Sequence, residues 1–249
     1  MIAREPGLIG RGEMPTLPVD LVIFDLTGTT VLDDGAILAA YRGAFEKHGM
    51  SASDAELSEM RGASKAAVFQ ALAERQLKGT GMDEAAVLDV ARAAHTTFRE
   101  MLREAYSLGP VAEVPGAEAA IRWLRQRGAK TAATTGLDRE LRDRVLERLG
   151  WREGVFHAMV SPDEVTAGRP APYMIFTAMM RAGVTDVRRV AIVGDTPLDL
   201  IAGTNAGAAW VIGVLTGAHG LDTLGAARHT HLLSSVAALP DLLANAGAS

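Results

Sequence analysis

Asp20-Leu-Val-Ile-Phe-Asp25-Leu-Thr-Gly-Thr-Thr30 is the stretch on which the architecture turns. Its apolar residues run without a break to Asp25 and then give way to small hydroxyl residues around Gly28. A short apolar run bounded by such a turn signal reads as a buried strand. Asp25 therefore stands at the strand's carboxyl end, the side on which α/β sheets gather their ligands.

A second run of this kind, Arg189-Val-Ala-Ile-Val-Gly-Asp195, also ends on an acid. Between the two the rhythm changes. Helices are expected over 36–49, from Ser53 (with Glu56 completing a capping box), over 64–77 and over 83–105. The last places Val87, Val90, Ala94, Phe98 and Met101 or Leu102 on one face. No strand candidate interrupts this block. Alternation resumes after Gly109-Pro110 and Pro115-Gly116, with strands expected at 129–134, 158–160, 189–194, 210–214 and 231–233. Helices are expected at 117–127, 139–149, 171–182, 198–206 and 236–245. Repeated strand–helix units predict an α/β fold: a Rossmann-like parallel sheet covered by helices, with an α-helical cap inserted after the first core strand. The expected division is an N-terminal extension (1–18), a catalytic core (19–33 and 107–249) and a helical cap (34–106).

Composition narrows the functions. A net charge of -5 offers no basic footprint for nucleic acid. No apolar run approaches the roughly 18–20 residues of a membrane span, and the opening residues do not resemble a signal peptide. The absence of cysteine removes disulfides, thiolate chemistry and thiolate metal sites, and suits a cytoplasmic location.

Two strand-end acids offer the hard oxygens that Mg²⁺ takes, so Asp25 and Asp195 are the first metal-site candidates, with the Thr27 backbone carbonyl as a third ligand. The competing role for these acids is to cap turns and helices. Asp199 falls on the same face of a helix starting at Asp195, placed to orient a bound water or a nearby cation. In Thr134-Thr135-Gly136, Thr135 is preferred as a phosphoryl-oxygen ligand at the positive end of the following helix, with turn capping as the alternative. Gly168-Arg169-Pro170-Ala-Pro172 presents a permanent cation in a loop stiffened by prolines. Lys65 follows the glycine turn of Met60-Arg61-Gly62-Ala63-Ser64, where projection toward the main domain would lower its pKa enough for Schiff-base chemistry. A helix-start lysine is ordinarily exposed, and exposure is the plainer expectation.

Taken in order, Asp25-Leu-Thr-Gly-Thr29, Thr135-Gly136, Arg169 and Gly194-Asp195-Thr-Pro-Leu-Asp199 resemble the haloacid dehalogenase-like hydrolase superfamily over roughly residues 19–243. Thr29-Thr30-Val31, Gly62-Ala63-Ser64-Lys65, Thr134-Thr135-Gly136 and the run Ser161 to Pro170 make the chain similar to the phosphonatase-like branch. The resemblance implies a magnesium-dependent enzyme in which Asp25 attacks phosphorus and Asp195 helps hold the metal. It also implies that Thr135 and Arg169 bind phosphoryl oxygens, with Thr29, Gly62 and Gly136 around the substrate. Lys65 matches a cap lysine that condenses with the substrate aldehyde, and the expected substrate is phosphonoacetaldehyde or a related carbonyl-bearing phosphonate.

Thr27 stands where ordinary phosphatases of the superfamily carry a second aspartate, and phosphonatases usually carry alanine. Val68 replaces a histidine three residues after the lysine, and Leu137 replaces a tyrosine after the Thr-Gly pair. Arg61 also changes the spacing of Met60 from the glycine. His48, His95 and His157 do not restore the histidine by spacing and read as structural or surface residues. Two other functions stay open: a magnesium-dependent phosphatase of small phosphorylated metabolites, and a catalytically weakened phosphate-binding or regulatory protein. Apolar positions in the insertion fit an internal cap core or pairing with a second copy, and the resemblance implies a homodimer through the cap.

Overall fold

The computed structural model describes residues 17–151 and 153–247, so residues 1–16 of the expected N-terminal extension lie outside it. Strand β1 (Leu21–Asp25) is buried along its whole length, as its unbroken apolar run requires. It pairs in parallel with β2 (Lys130–Thr134) on one side and β4 (Val190–Gly194) on the other. With β3 (Ala158–Val160), β5 (Trp210–Val214) and β6 (His231–Leu233), these strands form one parallel sheet in the order β3-β2-β1-β4-β5-β6. The order runs outward in both directions from the β1–β4 seam. That reversal opens a crevice at the strands' carboxyl ends, directly beyond Asp25.

Side-chain alternation divides β1 between two cores. Val22 and Phe24 join Ile121 and Leu124 of α5 (Ala117–Gln126) and Leu141, Val145 and Leu146 of α6 (Arg139–Leu149). Leu21 and Ile23 face Met174, Ile175, Ala178 and Met179 of α7 (Tyr173–Ala182). The helix expected from 171 starts at Tyr173, after Pro170 and Pro172. Proline favours an extended residue before it and lacks the amide that a helix interior needs.

Between β1 and α5 the chain forms α1 (Ala36–Lys47), α2 (Asp54–Glu59), α3 (Lys65–Leu77) and α4 (Glu84–Leu108). The Ser53–Glu56 capping box starts α2, and the Asp83 carboxylate accepts from the Ala86 amide to start α4. α1 buries Ile37, Ala40, Tyr41, Ala44 and Phe45, a helical stripe aimed at α3 and α4. There Tyr41, Phe45, Phe69 and Phe98 form an aromatic cluster with centroids 4.7–5.5 Å apart. Each such buried ring contributes about 1.5–3 kcal/mol of transfer free energy. On α4 the buried residue is Leu102, whereas Met101 is 39% exposed, which resolves the choice left between them.

After β4 comes α8 (Pro197–Ala206), and after β5 comes the unanticipated α9 (Leu221–Ala226). Leu224 is the one buried residue of α9, too little to leave a periodic signal. The helix expected over 236–245 is a short 3-10 turn (Val236–Ala238) followed by α10 (Leu239–Gly247). Among the described residues no helix is long and apolar enough to cross a membrane.

Candidate active site

Beyond Asp25 the chain closes a tight turn in which the amides of Thr29, Thr30 and Val31 donate to the Leu26 carbonyl at 3.1, 2.8 and 2.8 Å. The Thr30 hydroxyl donates back to the Asp25 carbonyl at 2.9 Å. These bonds fix the strand end, and Gly28 makes the turn possible with φ at +94°. A Cβ on Gly28 or on Gly217 would overlap the Asp195 carboxylate, so that acid sits between two glycines. Its Oδ1 accepts from the Thr29 hydroxyl at 3.1 Å and its Oδ2 from the Ala218 amide at 2.7 Å.

Arg169 ties the site together. Its Nη1 donates to Asp25 Oδ1 at 2.8 Å and lies 3.0 Å from Asp199 Oδ1, while Nη2 donates to the Thr134 hydroxyl at 2.8 Å. Asp199 Oδ2 accepts from the Thr196 amide and hydroxyl at 3.1 and 2.6 Å, closing the cap of α8. Asp199 is thus placed to orient the Arg169 cation. Thr135 accepts from the Leu137 amide at 3.2 Å and lines the reaction cavity, so the two threonines divide the tasks: Thr134 holds the arginine and Thr135 faces the cavity.

Burial raises the Asp25 carboxyl above the usual carboxylate range. Arg169 opposes that shift, while Asp199 and Asp195 reinforce it. Asp195 is raised by burial and by Asp199, against the Ala218 amide and the Thr29 hydroxyl. Buried carboxylates facing one another leave a site short of positive charge, and their oxygens are hard donors. The donor set therefore fits Mg²⁺, which typically takes one or two carboxylates and completes its shell with water and substrate oxygens. Among the described residues no larger cluster of acids or imidazoles competes for a metal. Thr27 lines the cavity, and its buried hydroxyl lies beside Tyr106.

The loop before α3 presses Gly62, Ala63 and Ser64 onto the core. A Cβ on Gly62, whose φ is +81°, would overlap the Thr196 hydroxyl, and one on Gly168 would lie 3.3 Å from Ser64 Cβ. Arg169 Nη1 also donates to the Gly62 carbonyl at 3.4 Å. Next to Gly62, Arg61 pairs with Asp33 of the segment after β1 and lines the cavity. Gly136 meets backbone rather than a side chain: its Cβ would stand 2.5 Å from the Ala63 carbonyl oxygen. Gly136→Ala is therefore expected to wedge cap from core and lower kcat/KM on the order of 10²-fold, because misplacement by about 1 Å is enough for that. Steady-state kinetics beside a melting curve checks this; full activity in the variant would mean that the seam tolerates the extra atom.

Lys65 is buried at 5% exposure, which overturns the expectation of an exposed lysine. α3 carries it under the aromatic cluster, with Nζ 5.6 Å from the Tyr41 ring centroid. Burial pushes its pKa down to about 8, partly opposed by the attraction of Asp25. Lys65, Asp25, Thr27, Gly62, Thr135, Gly136 and Asp195 line one cavity of about 30 Å³. A substrate-sized molecule needs more room than this cavity gives. Thr134, Thr30 and Arg61 were not singled out from the sequence as site residues. All three lay within motifs already quoted, but only the turn, the sheet order and the loop contacts give them their roles.

The sequence matches the model of the haloacid dehalogenase-like hydrolases over residues 19–207. It is 32% identical over 209 residues to the phosphonoacetaldehyde hydrolase of Bacillus cereus (strain AH187), spanning 81% of this chain and 77% of that protein. The fold is similar to that of a phosphonoacetaldehyde hydrolase-like protein from Oleispira antarctica, with a TM-score of 0.75, 19% identity and 97% of each chain covered. A hydrolase from Pseudomonas syringae aligns with a TM-score of 0.74 at 18% identity, over 90% of this chain and 97% of that one. With the strand-end acids, the Arg169 bridge and the sheet order in place, these matches establish that the chain belongs to the haloacid dehalogenase-like hydrolases, within their phosphonatase-like branch.

Proposed function

We propose that this hydrolase is magnesium-dependent and cleaves the carbon–phosphorus bond of phosphonoacetaldehyde or a related carbonyl-bearing phosphonate. The observation that carries the reading is the buried Lys65 amine on the same cavity as Asp25, with its pKa brought down to about 8. Imine chemistry needs an amine that is part neutral near pH 7, and this one is. The names of the Bacillus cereus relatives point the same way. At Thr27 there is no carboxylate to protonate an alcohol leaving group, and a threonine hydroxyl does not replace one.

The neutral Lys65 amine adds to the substrate carbonyl and, with a proton taken up and water lost, gives an iminium. Asp25 then attacks phosphorus. The carbon–phosphorus electron pair moves into the iminium, leaving an enamine on Lys65 and a phosphoryl group on Asp25. Protonation of the enamine and hydrolysis release the aldehyde, and water frees phosphate from Asp25. Arg169 stays anchored by Asp199 and Thr134, and its Nη1 exchanges the Asp25 oxygen for a phosphoryl oxygen. Mg²⁺ held by Asp25 and Asp195 supplies charge neutralisation at the phosphoryl group.

Two results are expected. Borohydride in the presence of the aldehyde substrate traps an adduct at Lys65, and its formation rate rises with pH toward a plateau above about 8, as the amine loses its proton. Lys65→Arg keeps the charge, cannot form the imine, and loses turnover of phosphonates. Efficient release of phosphate from monoesters without any lysine adduct would instead establish a phosphatase.

A further inference from the structure

Lys65 and Arg169 both have tasks in carbon–phosphorus cleavage. A third cation, Arg61, lines the reaction cavity beside Thr27, Ile37 and Lys65 without one. It stands in the cap loop, in Met60-Arg61-Gly62, where the spacing departs from the phosphonatase pattern.

The Arg61 side chain is 16% exposed and is held from one side. Its Nη2 pairs with Asp33, and Asp33 is itself fixed in the turn before α1, its Oδ1 accepting from the Gly35 amide at 3.0 Å. The same arrangement recurs at Arg169, where Asp199 holds the cation that meets the substrate. Arginine carries its donors in a planar fork, and the Asp33 contact uses one arm of it. Among the described residues, Nε and Nη1 of Arg61 have no hydrogen-bond partner. The guanidinium also repels the Lys65 ammonium and attracts Asp195, so it stands within electrostatic reach of the imine-forming amine and of the metal-side acid.

Donors held out of water without an acceptor cost free energy. Neither an aldehyde hydrogen nor the apolar Ile37 supplies an acceptor, whereas a carboxylate does, its two oxygens matching the fork. Thr27 adds a buried hydroxyl to the same cavity. Arg169, Thr135 and Mg²⁺ already account for the phosphoryl oxygens. The anion that suits Arg61 therefore belongs to the carbonyl half of the substrate.

We propose that Arg61 is a specificity-determining residue that binds a carboxylate on the substrate's carbonyl carbon, and that the preferred substrate is a 3-phosphono-2-oxo acid. This rests on the imine reading above and narrows it. Lys65 condenses with the oxo group, the carbon–phosphorus electron pair moves into the iminium, and the enamine takes up a proton and is hydrolysed. 3-Phosphonopyruvate and water give phosphate and pyruvate, with no other reactant.

The test compares 3-phosphonopyruvate with phosphonoacetaldehyde on the whole enzyme with magnesium, reading phosphate release and borohydride-trapped lysine adduct. In the wild type kcat/KM should be higher for the carboxylate-bearing compound. Arg61→Met keeps the length and removes the charge. It should lower the ratio of the two kcat/KM values on the order of 10²-fold, the scale of a lost charge-assisted bond. Poorer seating of cap on core lowers both values and leaves their ratio unchanged. Arg61→Lys should restore the ratio in part, because the ammonium keeps the charge without the fork. A second pair of probes bypasses the imine. 3-Phosphonopropionate, which has the carboxylate and no carbonyl, should inhibit the wild type at least about tenfold more tightly than propylphosphonate, an advantage that vanishes in Arg61→Met. An unchanged ratio, with both inhibitors bound alike, overturns the role of Arg61 and leaves the imine reading standing. A carboxylate advantage among the inhibitors with no adduct at Lys65 from either substrate overturns the imine and the oxo acid together, and keeps Arg61 as a carboxylate site.

Discussion

Asp25→Asn is expected to leave a folded protein that binds phosphate but no longer releases it from substrate, with turnover reduced on the order of 10⁴-fold or more, the scale on which losing a nucleophile is felt. The amide keeps the shape of the carboxylate and its place beside Arg169, but it is too poor a nucleophile to take the phosphoryl group. Stability should move the other way. Burial, Asp199 and Asp195 all disfavour the charged form of Asp25, and Arg169 offsets them in part. A neutral amide relieves that crowding, so without divalent ions the variant's melting temperature should equal or exceed that of the wild type. Adding Mg²⁺ should raise the wild-type value more than the variant's, since one ligand is gone. Retained turnover would remove Asp25 from the nucleophile's position.

Arg169→Ala is expected to show the opposite balance, losing stability as well as activity. The guanidinium is buried and spans Asp25, Asp199 and Thr134. Without it both carboxylates stay desolvated with no cation between them. Breaking a buried pair in this way typically costs about 3–5 kcal/mol, because the surviving charges are left uncompensated. Chemical denaturation in metal-free buffer measures that loss. Arg169→Lys separates charge from geometry: one ammonium cannot reach Thr134 and both acids as a planar fork does, so stability should return in part and phosphate affinity should stay low. Wild-type stability in Arg169→Ala would mean that the pairs contribute nothing net.

How far the sequence could be read depended on how local each signal was. Asp25 and Asp195 were visible because each ends an apolar run, and a strand end is a place with known chemistry. The parallel sheet followed from the alternation of units. Lys65 was placed correctly in sequence and wrongly in environment, because its burial comes from Tyr41 on α1 and the loops it meets, not from its neighbours in the chain. His95 was read as a structural or surface residue, and its place on one pocket with Lys65 depends on how α4 packs beside α3, which no single-helix periodicity records. The Asp199–Arg169 contact was half legible, since the acid's helix face could be counted but its cation could be any nearby one. α9 left no signal because it buries a single side chain.

The central position of β1 has a further consequence, for the order in which the molecule is made. Leu21 is among the first of the described residues to leave the ribosome, yet its partners are Lys130 and Val190. Closing loops of that length is slow, and parallel pairing gives no return until they close. The α1–α4 block can form from local contacts while the strand ahead of it waits, apolar on both faces, for the far half of the chain. A nascent chain cut off before β4 would therefore have no completed seat for Asp25, so chemistry arrives late in synthesis, and the exposed strand in the interval is where a chaperone would be needed.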